Sequence, residues 1–317
     1  MGVVPPLDEA EWRDDFLLYQ QFPEYKLKNL HMSLEEFKSI FWFEYAHRLL
    51  GRFIGVLFLV PFLYFLVRGW LDRSLALKLA GMFLLGGMQG LMGWYMVKSG
   101  LVNDPHVSQY RLTAHLALAV IVYSYIFWVA LGLLFERVEF PPGDGGNRAA
   151  LARFSLFITA LVFVTMLSGG FVAGTKAGFT FNTFPLMAGR FYPEGMYLLQ
   201  PWWRNWFENI ATIQFNHRLL ATLLFAIVPL FWWRARRVAW NPSVGIGVHL
   251  LLAALLLQIG LGITTLLLAV PVPVAAAHQA GALLLFTIAL YLSNRLAGIN
   301  ASSGNWQTGG SRSFSEQ

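Results

Sequence analysis

The sequence predicts an all-α, polytopic transmembrane helical bundle, and three observations carry that prediction. Hydrophobic residues make up 56% of the 317 and charged residues only 13%, with a mean hydropathy of +0.54, far from the balance of a soluble domain. Seven apolar stretches, near 41–67, 79–97, 112–134, 154–173, 209–233, 244–269 and 275–294, each approach or exceed the roughly 20 residues a helix needs to cross a bilayer. Four of these stretches carry a histidine close to one end, in two related local patterns. The expected architecture is two tandem, pseudo-symmetric four-helix halves, with seven spans present and an eighth upstream of Met1.

The balance of charge excludes other classes. A net charge of +6 would suit a polyanion partner, but the basic residues sit in short loops between apolar runs and form no patch interleaved with aromatics, so no nucleic acid is expected. The chain has no cysteine, which excludes disulfides, thiolate ligands and cysteine nucleophiles. Pro5, Pro6 and the acidic residues that follow do not read as a secretory leader.

Residues 1–40 read as a polar segment with interspersed aromatics (Trp12, Phe16, Tyr19, Phe22, Tyr25), and Ser33 with Glu36 has the spacing of a capping box that starts the first long helix. Residues 41–135 form an N-terminal half-bundle, 136–153 a linker, 154–298 a C-terminal half-bundle, and 299–317 a Gly-, Ser- and Asn-rich tail expected to be disordered. Loop charge sets the orientation. Connections carrying Arg68, Arg73 and Lys78, then Arg137, Arg148 and Arg153, then Arg234, Arg236 and Arg237, and finally Arg295, alternate with poorer ones, which places the first group in the cytoplasm. The 1–40 segment and the 174–208 loop then lie at the outer face, where Trp202, Trp203 and Trp206 read as an interfacial belt.

On this topology His47, His115, His217 and His278 each stand near the outer end of an inward-running span, at similar depth. The step His-Arg-Leu-Leu occurs at His47 and again at His217, while Ala-His recurs at His115 and His278, so the halves repeat. Gln89 to Gly93 answers Gln258 to Gly262 in the intervening spans. The repeat also leaves the 154–173 span without a first-half counterpart, hence the eighth span expected upstream. Intramembrane ionisable residues are costly and mark function, and one histidine on each of two bundle helices suits the axial positions of a haem between them. Zinc fits less well, because no cysteine and few carboxylates converge. The copies differ in their acid: Glu44 shares a helix face with His47, whereas the second copy carries Gln214. A carboxylate can exchange protons and an amide cannot. Arg48 and Arg218 follow the ligand candidates and suit either haem propionates or the membrane interface. His31, His106 and His249 stand outside the set and read as structural.

The segments PPLDEAEW, EFKSIFWFEYAHRLLGR, AGFTFNTFPLMAGRFYPEGM, NWFENIATIQFNHRLLA and AAAHQAGALLL, spread over about 1–295, resemble haem A synthases of the mitochondrial and proteobacterial type. The resemblance implies oxidation of the C8 methyl group of haem O to a formyl group, giving haem A for cytochrome oxidase. It implies that His47 and His115 hold haem O, that His217 and His278 are the axial pair of a haem b cofactor, and that Glu44 is the functional acid. It further implies a farnesyltransferase that makes haem O and an electron donor as partners, with a second copy of the chain as a candidate one; the lack of a readable presequence favours a bacterial inner membrane over a mitochondrial one. Two other readings stay open on the residues alone: a two-haem electron-transfer protein resembling cytochrome b, which leaves Glu44 unexplained, and a repeat-built transporter.

Overall fold

The computed structural model describes residues 4–100, 107–135, 145–238 and 240–297. His106, residues 136–144 of the expected linker and the 299–317 tail lie outside the described residues. The chain is all-α and polytopic: seven helices among the described residues are long and apolar enough to cross a membrane, matching the seven expected spans. It forms two compact units, residues 1–125 and 126–317.

In the first unit, helix α1 (Glu9–Tyr19) begins at Asp8, whose carboxylate accepts the N–H groups of Ala10 and Glu11 at 2.9 Å. Helix α2 (Pro23–Lys28) starts on a proline, whose missing N–H costs nothing in the first turn. The long α3 (Leu34–Val67) opens with the expected capping box, in which Glu36 accepts from the Ser33 N–H at 2.8 Å and Ser33 Oγ accepts from the Glu36 N–H at 3.3 Å. Sequence reading gave residues 8–32 only as a polar, aromatic segment. The structure folds it into α1 and α2, because Trp12, Phe16 and Tyr19 at i, i+4 and i+7 form one apolar stripe that closes on α3. Trp12, Tyr19, Phe37 and Phe41 are buried there, with Tyr45 stacked on Phe41 at 6.0 Å, so an aromatic core sits one turn from Glu44. Helix α4 (Arg73–Gly100) and the part of α5 (Gln109–Leu134) up to Tyr125 complete the unit, with Tyr125 lying against Gly81 of α4.

The second unit is built from α6 (Gly145–Gly174), α8 (Ile210–Ala235), α9 (Pro242–Leu267) and α10 (Val272–Ala297). Packing runs α6 to α8 to α9 to α10 and back to α6, a ring in which α8 and α10 are diagonal. Lipid tails are as apolar as leucine, so such helices are held by close packing and hydrogen bonds rather than by escape from water. Ser293 of α10 meets Ser155 at 3.0 Å and Thr159 at 2.9 Å on α6, and Gly247 of α9 lets Leu292 come so close that a Cβ would stand 2.9 Å from it. Residues 175–209, which include α7 (Asn205–Glu208), fold as a cap between α6 and α8. Three asparagines tie it down. Asn182 donates to the Gly178 and Leu266 carbonyls, Asn205 to those of Leu199 and Trp202, and Asn209 to that of Gly195 while capping α8.

Candidate functional site

His217 and His278 come from the diagonal helices α8 and α10, and their rings face each other across the bundle. The ring centroids are 6.5 Å apart and the planes stand at 87°. Each ring is held from behind by a helix that carries no histidine ligand candidate. Ser168 Oγ of α6 lies 2.7 Å from His217 Nδ1, and Gln258 Nε2 of α9 lies 3.0 Å from His278 Nδ1 while donating to the His278 carbonyl at 2.9 Å. A glycine beside each contact lets the ring approach: a Cβ would stand 3.3 Å from His217 Cε1 at Gly169 and 2.9 Å from His278 Cε1 at Gly262. Nδ1 is the engaged nitrogen of both rings, facing a hydroxyl at His217 and an amide nitrogen at His278.

The separation fits an iron between the rings. A metal about 2 Å from one nitrogen of each imidazole, with each ring centre about 1 Å further on, puts the centres about 6 Å apart. Among the described residues no three His, Cys, Asp or Glu side chains converge as a metal site. Two imidazoles suffice for a haem, whose macrocycle supplies the four remaining nitrogens, so the donor set fits that group better than a protein-only metal centre.

The first unit repeats part of this arrangement. Gln89 of α4 donates to the His115 carbonyl at 3.2 Å and approaches the ring at 3.3 Å, here at Nε2, and a Cβ on Gly93 would stand 3.0 Å from His115 Cε1. His115 Nδ1 is buried without a hydrogen-bond partner. His47 on α3 is exposed, and Gly51 and Gly55 continue its face at i+4 and i+8. A Cβ on either glycine, or on Gly86 or Gly90 of α4, would meet no atom within 4 Å. At the positions that answer these glycines the second unit carries Ala221, Phe225, Leu255 and Ile259, so glycine stands at these four places only in the first.

Glu44 and Gln214 behave differently, as their chemistry requires. Glu44 is half-buried, with Oε1 3.9 Å from Arg48 Nε, an ion pair too long for a hydrogen bond. Arg48 Nε and Nη2 are buried and lack hydrogen-bond partners, while the guanidinium rests over the Tyr45 ring at 5.8 Å. Gln214 is buried and donates to the Phe181 carbonyl at 3.1 Å; Arg218, one turn on, donates to the same carbonyl at 2.7 Å and to that of Thr183 at 2.9 Å. That pair is committed to holding the cap. The Glu44 and Arg48 pair has open valence.

Sequence reasoning missed Ser168, Gly169 and the roles of Gln89 and Gln258. The glutamines were visible as lone amides inside apolar spans, and their matched places in the repeat were the available signal. Of the other histidines, His249 accepts from Trp232 Nε1 at 3.0 Å, in keeping with a structural part, and His31 lies in the turn before α3. Trp202, Trp203 and Trp206 are exposed at the edge of the cap.

A family model described as COX15-CtaA, cytochrome oxidase assembly protein, matches residues 1–290. The chain belongs to the COX15-CtaA family. Among its relatives, the heme A synthase of Nitrosospira multiformis is 56% identical over 300 residues, covering 93% of this chain and 83% of the relative. That of Nitrosomonas eutropha is 52% identical over 297 residues, covering 94% and 83%. Heme A synthase COX15 of Homo sapiens is 42% identical over 298 residues, covering 92% and 72%.

Proposed function

We propose that the two units divide the work of making haem A: the first oxidises haem O, and the second holds a haem that moves electrons. The chain is an oxidoreductase, a haem A synthase of the bacterial inner membrane that converts haem O to haem A. The seven apolar helices and the bacterial relatives support the location.

The observation that carries the division is the contrast at the acid position. In the first unit a half-buried carboxylate, Glu44, shares a face with His47 and with a run of glycines that no side chain fills. A large flat substrate can lie there, with His47 and His115 as its axial pair and Arg48 presenting free N–H groups to a propionate. Glu44 then takes or gives protons as the methyl group is oxidised, which a carboxylate can do and an amide cannot. In the second unit His217 and His278 would hold haem b. When bound, it supplies a one-electron relay, and the protein contributes rigidity: Ser168, Gln258 and two glycines fix the rings, and Gln214 with Arg218 locks the cap. The matched Gln-Gly-His contacts support an origin of the two units as four-helix repeats. The farnesyltransferase that makes haem O and a separate electron carrier are the expected partners.

Extraction of haem from the purified protein, co-expressed with a haem O source, tests this reading. The expected result is haem A in the parent and haem O in Glu44→Ala, with haem b present in both. Haem b alone in the parent would point instead to an electron-transfer protein.

A further inference from the structure

We propose that Ser168 is the positioning residue that fixes which nitrogen of His217 is free to bind iron, an inference that rests on reading His217 and His278 as haem ligands. A hydroxyl has one hydrogen to give. Ser168 Oγ lies 2.7 Å from the Thr165 carbonyl, which can only accept, so that hydrogen is committed within α6. The Thr165 hydroxyl does not compete, since it donates to the Leu161 carbonyl at 2.8 Å. The same Ser168 oxygen is 2.7 Å from His217 Nδ1. With its hydrogen spent it can only accept there, so Nδ1 carries the ring hydrogen and Nε2 the lone pair.

The ring cannot easily swing away from this arrangement. Gly169, the next residue, brings the α6 backbone against it, with the space for a Cβ already within 3.3 Å of Cε1. Metal-bound histidines are commonly oriented by giving their second N–H to an acceptor, which also raises the basicity of the ligating nitrogen. Ser168 thus ends a short relay, Thr165 carbonyl to Ser168 hydroxyl to His217 ring, and with the Thr165 carbonyl, which also faces the ring, it sets the ligand before any haem arrives. His278 is held differently, since the group facing its Nδ1 is the Gln258 amide nitrogen, itself oriented by the His278 carbonyl. The two axial positions are therefore unequal by construction, and loss of the serine should be felt at one of them.

The test uses the full-length protein purified with its haem, comparing the parent with Ser168→Ala, Ser168→Thr and His217→Ala. Three quantities are read: haem b per chain, the low-spin bis-imidazole optical and EPR signature, and the midpoint potential. Ser168→Ala is expected to retain haem about 10- to 100-fold more weakly and to shift the potential of the haem that remains in the positive direction, as the axial donor weakens. Ser168→Thr, which keeps a hydroxyl able to bond the preceding turn, is expected to restore both. The potential is measured on whatever fraction carries haem, so a poor yield of Ser168→Ala leaves the test intact. Parent-like retention and potential in Ser168→Ala would overturn the proposal, as would equal loss in Ser168→Thr. A low-spin haem surviving unchanged in His217→Ala would overturn the ligand assignment beneath it.

Discussion

Replacing Gly262 by alanine should weaken haem binding in the second unit while leaving the bundle folded. The added Cβ would stand 2.9 Å from His278 Cε1, 3.4 Å from Nδ1 and 3.6 Å from Nε2. Ordinary contact begins at 3.4 Å, so the ring or the helix must give by 0.5 Å, and a ligand site tolerates only about 0.5 Å of misplacement before it fails. The ring has little freedom to absorb this, because Gln258 holds both its nitrogen and its own carbonyl. Overpacking of this size costs about 1–3 kcal/mol, which corresponds to roughly 5- to 150-fold in haem affinity. Gly169→Ala, with its Cβ at 3.3 Å from His217 Cε1, should have a smaller effect, and Gly260→Ala, which meets nothing within 4 Å, none beyond a gain in helix propensity of about 1 kcal/mol. Haem content per chain, read optically on detergent-purified protein with elution behaviour as the folding control, should rank parent and Gly260→Ala first, then Gly169→Ala, then Gly262→Ala. Equal haem content in all four proteins would refute the packing argument.

Other substitutions separate the two units. Glu44→Gln removes the titratable group but keeps the shape, so haem A formation should fall by about 10²- to 10⁴-fold while the haem b spectrum is unchanged; pigment analysis of the same preparation reads both. Gln89→Ala should lower kcat/KM for haem O without loss of haem b, and Gln258→Ala should do the reverse, a double dissociation visible in turnover assays alongside haem content. Arg218→Gln removes two charge-assisted bonds to the Phe181 and Thr183 carbonyls, worth about 1.5–3 kcal/mol each. Faster protease cleavage within 175–209 is the expected readout, with helix content unchanged. Trp12→Ala should destabilise the packing of α1 on α3 by about 3–5 kcal/mol, since the indole is buried against Phe37 and Phe41; thermal unfolding followed by tryptophan fluorescence measures it.

The sequence by itself determined the seven apolar helices, the α3 capping box, the four histidines and the exchange of Glu44 for Gln214. These depend on composition, on local spacing and on the chemistry of single side chains, all of which are written along the chain. Sequence pattern did not reveal that residues 8–32 fold into two helices, because their stripe is short and its polar face dominates the composition. Only the tertiary structure decided that α8 and α10 are diagonal, that their rings face each other at 6.5 Å, and that Ser168 and Gln258 stand behind them. Nor could spacing show that Gln214 and Arg218 share the Phe181 carbonyl while Arg48 keeps its nitrogens free. Periodicity records which face of a helix is apolar, but a hydrogen bond between helices depends on their packing and rotation. That is fixed when glycine and hydroxyl contacts such as Gly247 on Leu292 and Ser293 on Ser155 close the ring.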